Sequence, residues 1–211
     1  MFKMDQEELS IFATIKGIGS ASGLFLKQNF LYVIGDNSAY LYEYDIDSKI
    51  VNNIQLLKDL PVLENIPKAV KPDFEVLCQY QNTLYILGSG STANRNLMLK
   101  FDLQTKQISQ HNLSSLYAKI KQQCKIDDEN LNIEGAVFNG DNWFLFNRGN
   151  GNAQKNGIIK INTVFHTQKR QCLFWLTCSI TFFIFGTTGF MLQSLTDTDA
   201  YISSGGKTAL A

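Results

Sequence analysis

The sequence predicts an all-β chain made of successive copies of one small sheet, and three observations predict it. Apolar and polar residues alternate in short runs, the period of strands rather than helices. Three stretches share one plan: "NFLYVIGDNSAYLYEYDIDSKIVNNIQL" from Asn29, "NTLYILGSGSTANRNLMLKFDLQTKQISQHNL" from Asn82 and "NWFLFNRGNGNAQKNGIIKINTV" from Asn142. Each opens on Asn and an apolar strand, crosses a polar loop rich in Gly or Asn, and ends a second strand on Tyr44-Asp45, Phe101-Asp102 or Ile161-Asn162. Third, the period is regular: the Asn starts lie 53 and 60 residues apart, and the Asp/Asn ends 57 and 60. Repeats of this size with several strands match propeller blades of the kelch class. One small twisted sheet cannot bury both faces, and stacking it against the next does so. The expected architecture is an incomplete β-propeller of three four-stranded blades, or four if the tail holds a divergent one. One inserted helix and an apolar C-terminal tail complete it.

Taken in order, the blades fall near residues 10–60, 72–112 and 132–165 within a repeat domain of residues 1–168. A first strand precedes each Asn. It begins at Ser22 and Glu75, seven residues upstream, and at Glu134, eight upstream. In a propeller this strand lines the central axis, and its first residue faces the channel mouth. Glu75 and Glu134 are therefore candidate ligand groups, and candidate metal ligands for a divalent cation such as calcium. The alternative is that they accept hydrogen bonds from neighbouring blades or simply face water, since acids are rarely buried alone. Two carboxylates meeting there would repel, so one would take a cation or keep its proton at a raised pKa.

The connections differ. All three prolines fall in "PVLENIPKAVKP", read as a surface linker because Pro cannot donate to a ladder. "HNLSSLYAKIKQQCKI" places Leu113, Leu116, Ile120 and Cys124 on one helical face over 113–124, with Asn112 as its cap. "DDEN" at 127–130 is a solvated acidic turn without the ligand spacing of a calcium loop.

The loops "GDNSAY" (35–40), "GSGSTANRN" (88–96) and "NRGNGNAQKNG" (147–157) hold equivalent places, so they should emerge at one end. They supply the remaining ligand-binding candidates: Asp36, Asn37, Arg95, Asn96 and Arg148. The arginines suit bidentate capture of an anionic group, or pairing with Glu75 and Glu134. The glycines and asparagines equally serve turns that need positive φ.

Composition removes several classes. The 211-residue chain carries 19 basic and 19 acidic residues, with no basic excess for nucleic acid. Its start, "MFKMDQEELSIF", has acids where an export signal needs a basic end and an apolar run. Four cysteines without a C-x-x-C pair and two histidines point to reduced thiols rather than a zinc site or disulfide framework. "GIGSASG" is followed by a strand pattern where a dinucleotide loop needs a helix. "SSGGKT" has Tyr201 where a phosphate loop needs its first glycine.

"SASGL…NFLYVIGDNS…YEYD", "KPDFE…LYILGSGSTANRN" and "LNIEGAVFNGDNWFLFNRGNGN…NGI" resemble an uncharacterised bacterial β-propeller family, similar to phytase-like and kelch-like propellers. The resemblance covers roughly residues 10–165. It implies a propeller with Glu75 and Glu134 near the axis and implies no reaction.

Beyond it, residues 171–196 carry no charge. As a helix, residues 172–195 would extend about 36 Å, enough for a bilayer core of about 30 Å. Lys169 and Arg170 before this stretch would leave the N-terminal domain cytoplasmic. Its threonines, Gln193 and "FFIFG", which mimics "LYVIG", suit a divergent blade instead, and a non-native extension is a third reading. The localisation is read as cytoplasmic, or membrane-anchored through 172–195. Three blades fall short of the usual four to eight, so the tail or a homodimer would cover the open faces. The functional readings are a module binding a small molecule or protein at the loop end, and a metal-assisted hydrolase of a phosphate or ester using Glu75 and Glu134. A truncated, non-functional fragment is the third.

Overall fold

The computed structural model describes residues 11–152, 155–164 and 173–177. They form three four-stranded antiparallel sheets and one helix, each sheet a simple meander. The first sheet comprises β1 (Ala21–Lys27), β2 (Phe30–Gly35), β3 (Tyr40–Asp45) and β4 (Val51–Gln55). The second holds β5 (Phe74–Tyr80), β6 (Thr83–Gly88), β7 (Leu97–Asp102) and β8 (Ile108–Asn112). Helix α1 (Ser114–Cys124) leads to the third, with β9 (Ile133–Phe138), β10 (Asn142–Asn147), β11 (Gly157–Val164) and β12 (Leu173–Thr177).

The repeat seen in the sequence is a repeat of chemistry. Asp45 Oδ1 accepts the amides of Asp47 and Ser48, and Asp102 Oδ1 those of Gln104 and Thr105. Each Asp thus builds the turn between third and fourth strands, the local bonding for which this side chain is suited. The first hairpins also match: Gln28, Gln81 and Gly140 take φ of 53°, 52° and 97° at the same turn position. That equivalence corrects the third unit by one residue. Asp141, not Asn142, stands where Asn29 and Asn82 stand, which accounts for the spacing of eight rather than seven.

First strands meet at the centre, with β5 packed between β1 and β9. One core, including Tyr32, Ile34, Leu41, Phe74, Leu84, Ile86, Leu99 and Phe101, fills the gap between sheets one and two. Gly23 lets these sheets approach closely, since a Cβ there would lie 3.0 Å from Leu77 of sheet two, besides crowding its own strand partner Ile34. A second core joins sheets two and three with α1. At its edge Phe138 stacks on Trp143 with centroids 4.6 Å apart, and Tyr85 meets Trp143 edge-on at 5.2 Å. Each such aromatic pair contributes about 0.5–1.5 kcal/mol beyond its area.

The N-cap of helix α1 is Leu113 rather than Asn112; Asn112, one residue earlier, accepts the Ser114 amide on its Oδ1 at 2.8 Å, and the helix ends at Lys125 in the left-handed region. It buries Tyr117, Ile120 and Cys124. Tyr117, absent from the expected face, donates its hydroxyl to the Gly88 carbonyl at 2.8 Å and so fixes the helix to the end of β6.

Three features depart from the sequence reading. The proline-rich connection is not all surface: Ile66 and Pro72 are buried, and the Ile66 amide donates to the Asn37 carbonyl. Cys124 is disulfide-bonded, unlike the free, buried thiol of Cys78. The fourth strand of the third sheet, Leu173–Thr177, comes from the apolar stretch, beyond residue 165 where that blade was expected to end. Of the span considered for 172–195, only this strand lies within the described residues. "FFIFG" lies outside them. No helix among the described residues is long and apolar enough to cross a membrane.

Candidate functional site: a charged cluster at the end of the central strands

Each first strand carries a β-bulge at one end. The register skips Ser22 between Ala21 and Gly23, Glu75 between Phe74 and Val76, and Glu134 between Ile133 and Gly135. A bulge leaves one residue out of the ladder and re-aims its side chain. The repeated position seen in the sequence is therefore the same structural device three times. Beside it one backbone bond also recurs. Asp36 N donates to Ser20 O at 3.0 Å, Ser89 N to Asp73 O at 3.0 Å, and Arg148 N to Asn132 O at 2.9 Å. Neighbouring units are then joined at this end by Asp73 N to Asp36 O and Ile133 N to Ser89 O. The hydroxyl of Ser22 donates to the Phe74 carbonyl across the same seam.

Around the bulges sits a network of seven charged side chains. Lys71 pairs with Asp36 and, at 2.6 Å, with Asp73. Arg95 reaches the other Asp73 oxygen at 2.9 Å and Ser91 Oγ at 2.8 Å. Ser89 Oγ donates to Asp73 at 2.6 Å. Asp73 is thus buried but fully bonded, in a left-handed backbone conformation (φ 53°) that Asp tolerates better than most. On the third sheet Arg148 pairs with Glu134 at 2.8 Å, and Asn132 also donates to Glu134.

Glu75 stands among these groups without a hydrogen bond or ion pair among the described residues. Its pKa is pushed from 4.5 to about 8, first by burial, then by the charges of Glu134, Asp73 and Asp36, with Lys71 opposing. For Lys71, burial works against the charge, but hydrogen bonds to Asp36 and Asp73 outweigh it and its pKa is raised. Four acids face three bases here. With Glu75 protonated the set is neutral; with Glu75 ionised it holds one unbalanced negative charge.

The sequence candidates divide. Asp36, Glu75 and Arg95 belong to the cluster, and Glu134 with Arg148 forms its third-sheet edge. Arg95 pairs with Asp73, not with Glu75 as one reading had it. Asn37 lies alongside, its carbonyl engaged by Ile66 and its Oδ1 buried without a bond. Asn96 serves the helix: its carbonyl accepts the Leu113 amide and its amide donates to Ser114. Lys71 and Asp73 were not singled out, although "KPDFE" holds both with Glu75 in alternation. For a metal, the three carboxylates whose oxygens come together, within 4.8 Å, are Asp36, Asp73 and Glu75 rather than Glu75 with Glu134. The Lys71 ammonium already supplies the positive charge between the two aspartates.

The fold and this cluster define an all-β protein of three meander sheets around a shared centre, with an ionic network where the loops converge. The chain belongs to a family of unknown function, DUF6929, whose model matches residues 17–204 and so takes in most of the apolar tail. No curated protein matches it. Solved structures similar to it include the N-terminal domain of Nup159, at 15% identity and a TM-score of 0.35, covering 79% of this chain and 33% of that one. The chain thus spans about a third of that structure's length.

Proposed function

We propose that this chain is a propeller-like binding module, and that its ligand or partner presents a cationic group to Glu75 at the loop end. Three meander sheets sharing a centre, with equivalent bulges at one end, support the reading of the sheets as blades. The observation that carries the binding site is Glu75 itself. It is the one carboxylate of the cluster that no base compensates, and it sits on a bulge that aims it out of the ladder. An ammonium or guanidinium group, or a metal ion, would restore neutrality there by replacing the proton.

A metal-assisted hydrolase is the second reading, and the grouping of Asp36, Asp73 and Glu75 oxygens favours it. It requires Lys71 to leave the two aspartates, so the binding module needs less rearrangement. A thermal-shift comparison at pH 6 and pH 9 tests the proposal, using calcium, manganese, an alkylammonium and a guanidinium as probes. Stabilisation by at least one probe at pH 9, weaker at pH 6 and absent in Glu75→Gln, is expected. Equal shifts in wild type and Glu75→Gln, or none with any probe, would sink it.

A further inference from the structure

Of the four cysteines, Cys78 on β5 is a free thiol, whereas Cys124 at the end of α1 is disulfide-bonded. Its partner is therefore Cys172 or Cys178, which flank β12 in the sequence and lie outside the described residues. Cys124 is 4% exposed and belongs to the second core together with Ile159, near the start of β11. The two also share the wall of one cavity of about 260 Å³ with Ile126, Gly157 and Ile158. Among the described residues, none beyond Ile159 on β11 lines that cavity. Strand β12 runs antiparallel to β11, with Leu173 opposite Val164 and Thr177 opposite Lys160. It therefore finishes at the end of the sheet where Cys124 sits and starts at the far end.

The connection into β12 differs from its counterparts. Eight residues, 165–172, separate it from β11, against five in the first sheet (46–50) and five in the second (103–107). In those two sheets Asp45 and Asp102 tie the turn through backbone amides. Asn162 holds the equivalent register position, and its Oδ1 is buried without a bond among the described residues. β12 is also the outer strand of its sheet, paired on one side only.

We propose that Cys124 is joined to Cys178, and that this bond is a redox-sensitive latch holding β12 on the third sheet. One step past Thr177, position 178 falls opposite Ile159 on a strand about 5 Å away. Residues directly opposite share a face of the sheet, and Ile159 shares its core with Cys124. A disulfide bridges Cα atoms about 4–7 Å apart. Position 172 falls opposite 165, six residues along β11 from Ile159 and about 20 Å away, which is out of reach. The bond does for β12 what the aspartate turns do for β4 and β8. Closing it takes one proton and one electron from each thiol, accepted by a small-molecule disulfide that leaves as two thiols. A dithiol opens it by the reverse exchange.

The full chain is treated with glutathione disulfide, its remaining thiols are alkylated, and it is cut with chymotrypsin. Cleavage at Phe174, Trp175 and Leu176 separates residue 172 from 178. Mass spectrometry should find the peptide of Cys124 joined to that of Cys178, with Cys78 and Cys172 alkylated. Hydrogen exchange then reads the latch: dithiothreitol should speed exchange of the Leu173–Thr177 amides about 10-fold or more in wild type and in Cys172→Ser. Cys178→Ser should exchange at the fast rate with or without reductant. A bond from Cys124 to Cys172, a Cys124 that stays unbonded, or exchange in wild type that reduction leaves unchanged would each overturn the proposal.

Discussion

Replacing Glu75 with glutamine keeps the side chain's size and removes its charge, which isolates what ionisation at this bulge does to folding. The folded carboxyl titrates near 8 against an ordinary 4.5. The sign follows from proton binding. Below about pH 4.5 both folded and unfolded chains hold the proton, and the variant should match wild type. Between 4.5 and 8 the unfolded chain releases its proton while the folded one retains it, so wild type loses stability relative to glutamine as pH rises. Above 8 both are ionised and the difference is constant. At about 1.4 kcal/mol per pH unit, the full shift sets a ceiling of about 5 kcal/mol. Glu75 is only partly buried, and solvent screening lowers the expected gain to about 2–3 kcal/mol at pH 9. Urea unfolding of both proteins at pH 4, 7 and 9 measures it. If Glu75→Gln destabilises the fold, or its effect is the same at all three pH values, the claim that Glu75 carries unbalanced charge is wrong.

Asp73→Asn removes the carboxylate that holds Lys71, Arg95 and Ser89, and breaking such a buried pair should cost about 3–5 kcal/mol; a loss under about 1 kcal/mol by urea unfolding would show the network to be loosely coupled. The same variant removes one of the charges acting on Glu75, so the pH at which Glu75 titrates, followed by carboxyl NMR, should fall. Gly90 has φ +76° and its added Cβ would lie 2.7 Å from the Tyr117 ring, whereas Gly17 has φ +89° and open space around it. Gly90→Ala should therefore lose clearly more than the about 1–2 kcal/mol expected of Gly17→Ala from backbone strain alone, and equal losses in thermal melts would refute the packing of α1 against this loop.

Much of the fold was legible because the repeat is written in residues with fixed backbone roles. Asp45 and Asp102 make the same turn, and Ser22, Glu75 and Glu134, read as equivalent starts of the first strands, fall on the three bulges, which the sequence pattern does not itself reveal. The third unit slipped by one residue because Asn142 imitates Asn29 and Asn82, while the positive φ that defines the turn falls on Gly140. Lys71 and Asp73 were missed for a different reason. They lie in the proline-rich run, where lack of periodicity reads as exposed linker, and the partner of Lys71, Asp36, is 35 residues away. Assigning Arg95 to Glu75 failed by two residues, because the bulge turns Glu75 aside and leaves Asp73 facing the guanidinium. The strand Leu173–Thr177 was hidden in a long apolar stretch, whose composition alone does not separate a strand from part of a helix.

The bulges also allow a comparison inside one molecule. Ser22 occupies the same position as Glu75, and its hydroxyl closes the seam by donating to the Phe74 carbonyl. A short neutral side chain is therefore compatible with this geometry, and the fold has no need of a carboxylate there. Glu134 shows that an acid can also be accommodated, provided an arginine sits beside it. Glu75 has neither solution: its neighbours are three acids and a lysine already held between two of them. On the proposed reading, Glu75, in a position where serine serves, is there for what it binds rather than for what it supports. The stability gained by Glu75→Gln and the cation response lost with it should thus appear together in one variant; a gain in stability with the cation response intact would separate them and move the binding site elsewhere.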